Sequence, residues 1–285
     1  MDFAERRRTF APRALALDLD GTLVADDGRV PPRVAEVLRA RIAAGVPVCI
    51  ATGRSELGAR PVLDQLGAVD PALVYNGAAL WCPRTKAFLE ERVLADRSVE
   101  AALEFGRREG LMALVGTRGA RYASHSEDAL LQSALEGIEN VHLRPFDELP
   151  VEYLIRVTLF CSRSETSGEL RARFESQVQT PLYLTDFAIN LLAQHRDSPV
   201  KALDVQPPCR GKAEILRWLS EERGIQPNEV VAVGDATNDL PMLAEAGLGV
   251  AMGNAVPEVR AAADRIIGDC NGEALAELVE ELFPL

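Results

Sequence analysis

The sequence has few histidines, few cysteines and no long apolar run. Its three histidines (His125, His142 and His195) share no metal-ligand spacing, and we interpret them as surface or packing residues. No stretch approaches the roughly 20 consecutive apolar residues of a membrane-spanning helix. We therefore predict no histidine metal centre and no membrane partner.

The five cysteines are odd in number and widely scattered, and none shows CxxC spacing; they are Cys49, Cys82, Cys161, Cys209 and Cys270. A disulfide framework or a cysteine metal site would require pairs at characteristic spacings. We predict free, mostly buried thiols in a reducing cytoplasm.

Positive charge is also in short supply. Lys and Arg number 31 against 43 Asp and Glu, which gives a formal net charge of -12. Such a chain repels polyanions, so we predict no nucleic acid partner. The densest basic cluster, at residues 6–8, precedes no apolar run like that of a signal peptide, and we assign it to a solvated N-terminal tail at residues 1–12. An anionic substrate must then be captured by a local site.

Short apolar runs alternate with helical patterns in the first and last thirds of the chain. The runs lie at 14–17, 46–51, 72–75, 230–233 and 248–252, and helical patterns at 32–45, 212–224 and 241–247 each end at glycine. Continuous apolar runs are typical of strands that are buried on both faces of a parallel sheet. We predict an α/β fold, with one doubly wound domain formed by residues 13–81 and 199–285.

The middle third, residues 82–198, has a different pattern. Strand-like stretches at 88–94, 111–122, 153–161 and 181–192 are separated by helical patterns at 98–109, 127–136 and 165–178. We predict an inserted α+β domain.

Two carboxylates follow the first predicted strand directly, in Asp18-Leu19-Asp20-Gly21-Thr22. A parallel strand delivers such residues to the crevice at the carboxyl edge of the sheet. Asp-Gly alone is a common turn dipeptide. However, a charge that ends a buried strand is unfavourable without a partner, and this favours a metal ion beside the pair.

Three further polar segments lie at strand ends or helix starts. They are Thr52-Gly53-Arg54, Arg210-Gly211-Lys212 and the run Gly234-Asp235-Ala236-Thr237-Asn238-Asp239. Hydroxyls, main-chain amides and cations at such positions suit phosphate oxygens. Taken singly, Thr52-Gly53-Arg54 can be a helix cap, and Arg210-Gly211-Lys212 can be a solvated basic pair. A capping turn explains Asp235 or Asn238, but hardly these two and Asp239 together.

In order and placement, these four segments resemble the motifs of the haloacid dehalogenase superfamily of phosphohydrolases. Asn76-Gly77-Ala78, the glycine-rich segment 247–255 and the large insertion look like its Cof-type branch, subclass IIB. The resemblance implies a Rossmann-like core with a mobile α/β cap that selects the substrate. One departure is visible: that branch has lysine before glycine in the third motif, whereas here Arg210 precedes Gly211 and Lys212 follows it.

The resemblance also implies a mechanism and a set of site residues. Asp18 would attack phosphorus to form an aspartyl-phosphate, and Asp20 would serve as general acid and base. The implied Mg2+ ligands are the Asp18 carboxylate, the Asp20 main-chain carbonyl and Asp235. The phosphoryl oxygens would be held by Leu19, Thr52, the Gly53 amide, Asn238 and one of Arg210 or Lys212, with Asp239 and Asn254 in supporting positions.

The expected function is a Mg2+-dependent phosphatase that hydrolyses a small-metabolite phosphomonoester, such as a sugar phosphate or a phosphorylated cofactor or precursor. A P-type pump is excluded, because it needs membrane spans and carries threonine where Asp20 stands. A phosphomutase or phosphotransferase stays open, although about thirty residues between the first two motifs are too few for the helical cap of several such mutases. A catalytically silent metabolite-binding regulator would be expected to lack a motif acid, and all are present. The sequence leaves the substrate open, as well as the choice between monomer and homodimer.

Overall fold

The computed structural model describes residues 11–67, 70–138, 140–191 and 195–285. These residues form two compact units, one of residues 11–90 with 210–285 and one of residues 91–209, here called the core unit and the inserted unit. The basic cluster at 6–8 and most of the predicted tail lie outside the described residues. Within the described residues, no helix combines the length and the apolar character needed to cross a membrane.

A five-stranded parallel sheet is the centre of the core unit. Its strands are β1 (Ala14–Leu17), β2 (Val48–Ile50), β12 (Val230–Gly234), β13 (Leu248–Ala251) and β14 (Arg265–Ile266), in the order β14-β13-β12-β1-β2. Every neighbouring pair is parallel. All residues of β1, β2 and β12 are buried, as continuous apolar runs require. The predicted α/β fold with a parallel sheet is confirmed.

Six α-helices of the described residues accompany this sheet: α1 (Pro32–Ala43), α2 (Glu56–Leu66), α6 (Glu214–Arg223), α7 (Leu240–Glu245), α8 (Pro257–Ala262) and α9 (Ala274–Leu282). Helix α2 is capped at its N-terminus by Ser55, whose hydroxyl accepts from the Gly58 amide, and at its C-terminus by the left-handed Gly67. Helices α6 and α7 bury Ile215, Leu219 and Met242 in one cluster with the small residues of β1 and β12. Small residues on the strands allow close approach of the helices.

A smaller sheet with the order β3-β4-β5 also belongs mainly to the core unit, and consists of β3 (Ala72–Val74), β4 (Ala79–Cys82) and β5 (Ala87–Glu91). The apolar run at 72–75 predicts a strand of the main sheet. Instead, β3 pairs antiparallel with β4, and an isolated parallel bridge joins Leu73 to Ala51. Strand β5 is the stretch predicted for the insertion at 88–94. The turn at 83–86 returns the chain beside β4, and such local closure requires little loop entropy.

The inserted unit contains a six-stranded sheet with the order β10-β11-β9-β6-β7-β8. Its elements are α3 (Asp96–Arg108), β6 (Met112–Thr117), β7 (Ala120–Ser124), α4 (Ala129–Ser133), β8 (Val141–Arg144), β9 (Arg156–Cys161), α5 (Ser167–Glu175), β10 (Tyr183–Ala188) and β11 (Lys201–Gln206). Phe105 of α3 and Phe174 of α5 meet edge to face, with ring centroids 5.1 Å apart. Both rings belong to a cluster with β6, β9 and β11.

The boundaries of the inserted unit differ from the predicted range 82–198, since the unit runs from Glu91 to Cys209. Strand β11 accounts for the C-terminal difference, because it lies between β9 and β10 with antiparallel pairing on both sides. The predicted strand at 111–122 is a hairpin of β6 and β7 that turns at Gly119, where φ is 74°. None of the five cysteines, all within the described residues, forms a disulfide, and four are buried.

Candidate active site

Asp18 stands at the carboxyl end of β1, and its side chain is buried with 4% of its surface exposed. Its amide donates to the Val233 carbonyl at 3.0 Å, which continues the pairing of β1 with β12. The following turn closes on the Leu19 carbonyl, which accepts from the amides of Leu23 and Val24 at 2.9 and 2.7 Å. The main-chain ladder thus positions the first acid, and the turn positions the second.

Lys212 joins this acid from the other half of the core unit. Its Nζ donates to Asp18 Oδ1 and to Asp239 Oδ1, both at 2.6 Å, and the side chain is buried. Burial alone lowers the pKa of Lys212, but the charges of Asp18 and Asp239 outweigh burial and leave the pKa above its ordinary value. The lysine is therefore a buried ammonium held between two carboxylates.

Arg210, the other basic residue of the Arg210-Gly211-Lys212 segment, does not contact Asp18 or Asp239. Its guanidinium donates to Glu245 at 2.6 Å, and about half of the side chain is exposed. A short 3-10 turn at 211–213 begins with Gly211 at φ 63° and directs Lys212 inward. The structure thus brings Lys212 to the acids and turns Arg210 away from them.

Asp239 is fully buried and fixes the loop after β12. Its Oδ2 accepts from the amides of Asp235 and Ala236, each at 3.0 Å, while its Oδ1 accepts from Lys212. Gly234 makes this approach possible, because a Cβ there would lie 2.4 Å from Asp239 Cγ. Asp239 therefore orients both the lysine and the Asp235 main chain.

Asp18, Asp235 and Asp239 place carboxylate oxygens within 4.8 Å of one another. Burial raises the pKa of Asp18 to about 7 against the opposing charge of Lys212, and burial together with the charges of Asp18 and Asp239 raises the pKa of Asp235 to about 9. One lysine does not balance three carboxylates. An all-oxygen donor set with excess negative charge fits a hard divalent cation such as Mg2+.

Asp20 is not one of these three clustered carboxylates, and its carboxylate is paired with Arg54. Arg54 Nε and Nη2 donate to its two oxygens at 2.9 and 2.5 Å, and the Asp20 side chain is 40% exposed. Arg54 belongs to the Thr52-Gly53-Arg54 segment but has no predicted role of its own. Its position shortly after β2, the parallel neighbour of β1, was the available signal for a contact with Asp20.

The Thr52-Gly53-Arg54 segment is held in place by hydrogen bonds of its main-chain amides. Thr52 is buried, its amide donates to the Leu73 carbonyl, and its Oγ1 accepts from the Arg54 amide at 3.0 Å. Since a hydroxyl also carries one donor, Thr52 Oγ1 can donate a hydrogen bond as well as accept one.

Asn238 lies beside Asn76, and its Nδ2 donates to Asn76 Oδ1 at 2.9 Å. Asn76 is a second residue for which the sequence predicts no role, since it contributes only to the family resemblance. Asn254 supports the first turn, because its Nδ2 donates to the Gly21 carbonyl at 2.8 Å and its Oδ1 accepts from the Cys270 amide.

The sequence model of the haloacid dehalogenase-like hydrolases matches residues 15–279 of the chain. The chain belongs to this family. A phosphoglycolate phosphatase from Methanothermobacter thermautotrophicus is 30% identical over 271 residues, which cover 95% of this chain and 99% of that protein. A pyridoxal phosphate phosphatase from Escherichia coli is 27% identical, over 94% and 97% of the two chains. A solved subclass IIB sugar phosphatase shares the fold, with a TM-score of 0.80 at 22% identity over 94% and 98% of the chains.

Proposed function

We propose that the chain is a Mg2+-dependent phosphatase that transfers the phosphoryl group of a small-metabolite phosphomonoester to Asp18 and then to water. The observation that carries the proposal is the buried contact of Lys212 with Asp18 and Asp239, next to a third carboxylate at Asp235. A nucleophilic carboxylate needs adjacent positive charge if it is to approach a phosphate dianion. The matched family supports the same reaction class.

In the first half-reaction, an Asp18 oxygen forms a bond to phosphorus while the bond from phosphorus to the leaving oxygen breaks. Lys212, the Thr52 hydroxyl, the Asn238 side chain and the Leu19 and Gly53 amides would hold the phosphoryl oxygens. When bound by Asp18, Asp235 and the Asp20 carbonyl, Mg2+ supplies the positive charge that offsets the carboxylates and the phosphate. Asp20 gives a proton to the leaving oxygen.

In the second half-reaction, Asp20 takes a proton from water as the water oxygen bonds to phosphorus. The bond from phosphorus to Asp18 breaks, which returns the Asp18 carboxylate and restores the proton on Asp20. Arg54 would hold the Asp20 carboxylate in position through both of its oxygens in the meantime. Neither acid is consumed over the cycle.

The substrate class that we propose is a phosphomonoester of a sugar or of a cofactor or its precursor. Among the relatives, one acts on phosphoglycolate and one on pyridoxal phosphate, according to their names, so the reaction class is shared while the leaving group varies. The cysteines form no disulfide within the described residues and are mostly buried, which supports a reducing compartment, and we propose a cytoplasmic enzyme that is a monomer or a homodimer.

The test is release of inorganic phosphate from p-nitrophenyl phosphate and from a panel of sugar and cofactor phosphates. We expect activity with Mg2+, loss with EDTA, recovery on adding Mg2+, and no turnover by Asp18→Asn. Absence of phosphate release from the whole panel would contradict the hydrolase, and activity in Asp18→Asn would contradict the nucleophile.

A further inference from the structure

Three consecutive residues after β3 adopt the left-handed backbone conformation. The φ angles are 53° at Tyr75, 50° at Asn76 and 106° at Gly77. Glycine tolerates this region and asparagine is enriched in it, but a bulky residue such as tyrosine is strained there. Tyr75 and Asn76 are also buried, at 1% and 3% exposure. Such strain persists only where the surrounding structure holds it, and it is concentrated at functional sites.

The contacts that hold the turn lead to the proposed phosphate loop. The Tyr75 amide donates to the Arg54 carbonyl at 2.9 Å, and the Asn76 amide donates to the Thr52 carbonyl at 3.0 Å. The Tyr75 hydroxyl donates to Glu56 in the first turn of α2, at 2.8 Å. The turn is therefore fixed to the segment that carries Thr52 and Gly53.

The Asn76 side chain lies between this segment and Asn238. It accepts from Asn238 Nδ2 at 2.9 Å, and a Cβ on Gly53 would lie 3.0 Å from its Oδ1 and 3.2 Å from its Nδ2. Asn238 Oδ1 is buried and has no hydrogen-bond partner among the described residues. The contact with Asn76 is thus an important anchor of the Asn238 amide.

We propose that Asn76 is a positioning residue for phosphoryl transfer, which orients the Asn238 amide and sets its distance from the Thr52-Gly53 segment. It acts through these residues without contacting the phosphoryl group itself. Glycine at position 53 follows from the same geometry, because a side chain there would displace the Asn76 amide. The inference rests on the proposed function of this site.

The first experiment compares Asn76→Gly with the wild-type protein. Glycine accepts the left-handed conformation, so the variant removes the amide without adding backbone strain. We expect kcat/KM for p-nitrophenyl phosphate to fall roughly 10- to 100-fold, as is typical when an outer partner of a site residue is lost, and inorganic phosphate to inhibit more weakly.

A matched control is Asn140→Gly, since Asn140 is also left-handed (φ 55°) but exposed, and its amide contacts Gly119. It should keep the wild-type kcat/KM and phosphate inhibition.

A double-mutant cycle separates positioning from a merely structural role. Gly53→Ala should lower kcat/KM strongly in the wild-type background and much less in Asn76→Gly, because the added methyl then has no amide to displace. Equal losses in both backgrounds would overturn the inference. So would an Asn76→Gly variant that loses thermal stability but keeps wild-type kcat/KM and phosphate inhibition.

Calorimetric titration with inorganic phosphate and Mg2+ measures binding without turnover. It therefore tests the positioning role of Asn76 separately from the proposed phosphatase activity. A wild-type protein without turnover contradicts the phosphatase. In that case, weaker phosphate binding by Asn76→Gly than by wild type still supports the positioning role, whereas equal binding, or none by either protein, rejects it.

Discussion

At the scale of single residues, the two cations of the third segment have opposite surroundings. Lys212 is buried between two carboxylates, whereas Arg210 is half exposed and paired with Glu245. We expect Lys212→Ala to lower kcat/KM by about 100- to 1,000-fold, the range for loss of one preorganised charge-stabilising group. Arg210→Ala should change kcat/KM by less than about threefold, because exposed ion pairs contribute little.

Steady-state kinetics on p-nitrophenyl phosphate measures both variants, with circular dichroism as a check on folding. Lys212→Ala should also be less stable, by about 3 kcal/mol, because two buried carboxylates lose their common partner. A loss in Arg210→Ala as large as that in Lys212→Ala would contradict the assignment.

Asp20 permits a second prediction at this scale, because its proposed role differs between the two half-reactions. Asparagine in place of Asp20 cannot take a proton from water, so Asp20→Asn should stall after the first half-reaction when the leaving group is good. Mass spectrometry of the acid-quenched variant with p-nitrophenyl phosphate should show one added phosphoryl group. The double variant Asp18→Asn with Asp20→Asn serves as the control and should show none. An unmodified Asp20→Asn protein with full turnover would argue against the acid and base role.

Among the candidate residues, those at strand ends were predictable and those that depend on side-chain direction were not. Asp18 and Asp235 follow buried apolar runs, and parallel strands deliver such residues to one edge. The choice between Arg210 and Lys212 depends on the left-handed Gly211 that starts the 3-10 turn. No periodicity in the sequence encodes that direction. The contact of Asn76 with Asn238 joins positions 162 residues apart, which a local pattern cannot predict.

At the scale of elements, the turn after β1 depends on Gly21. Its φ is +76°, and a Cβ there would lie 2.3 Å from Asp235 Oδ2. Gly21→Ala should therefore combine backbone strain with displacement of a proposed metal ligand. We expect a loss of stability and at least a 10-fold loss in kcat/KM, on the order that misplaced site groups produce.

Gly28→Ala is the matched control for that change. Gly28 has φ +79° but no atom within 4 Å of the added Cβ, so only backbone strain of about 1 to 2 kcal/mol remains. Thermal unfolding and kinetics of the two variants separate strain from contact. Equal activity in both variants would show that the contact with Asp235 is unimportant.

The sequence predicted the strands that are buried along their whole length, but it did not predict which strands pair with a neighbour in a hairpin. The runs that became β1, β12 and β13 are apolar throughout, so their place in a parallel sheet follows from composition. The run that became β3 is equally apolar, but β3 pairs antiparallel with β4 and is joined to the residue after β2 by an isolated parallel bridge, and composition does not predict this pairing. Strand β11, with the sequence Lys-Ala-Leu-Asp-Val-Gln, has three polar residues among its six and therefore no continuous apolar run, so the hydrophobic pattern did not mark it as a strand of the inserted unit.

At the scale of the whole molecule, the proposed site residues are confined to one of the two units. Every proposed catalytic, phosphate and metal residue lies in the core unit, and its motifs were readable because they follow strands. The inserted unit carries no such motif. The hydrophobic pattern of the sequence predicts the strands and helices of the inserted unit. It does not predict which polar side chains contact the leaving group of a substrate.

The excess negative charge at the site should also affect the stability of the core unit. Asp18, Asp235 and Asp239 are held close together with one lysine. Without a divalent cation the folded site must therefore keep Asp235 protonated far above its ordinary pKa or bear the repulsion of the carboxylates, and either one opposes folding at neutral pH. Mg2+ binds the folded site and should raise the melting temperature as its concentration rises above the dissociation constant. Asp235→Asn removes one carboxylate, so it should melt at a higher temperature than wild type in EDTA and gain little from Mg2+. Thermal unfolding of both proteins over a Mg2+ series measures this, with Asp264→Asn, at a carboxylate outside the cluster, as the control that keeps the Mg2+ response. A wild-type melting temperature that does not respond to Mg2+, or an Asp235→Asn variant that responds fully, would contradict a metal site formed by these carboxylates.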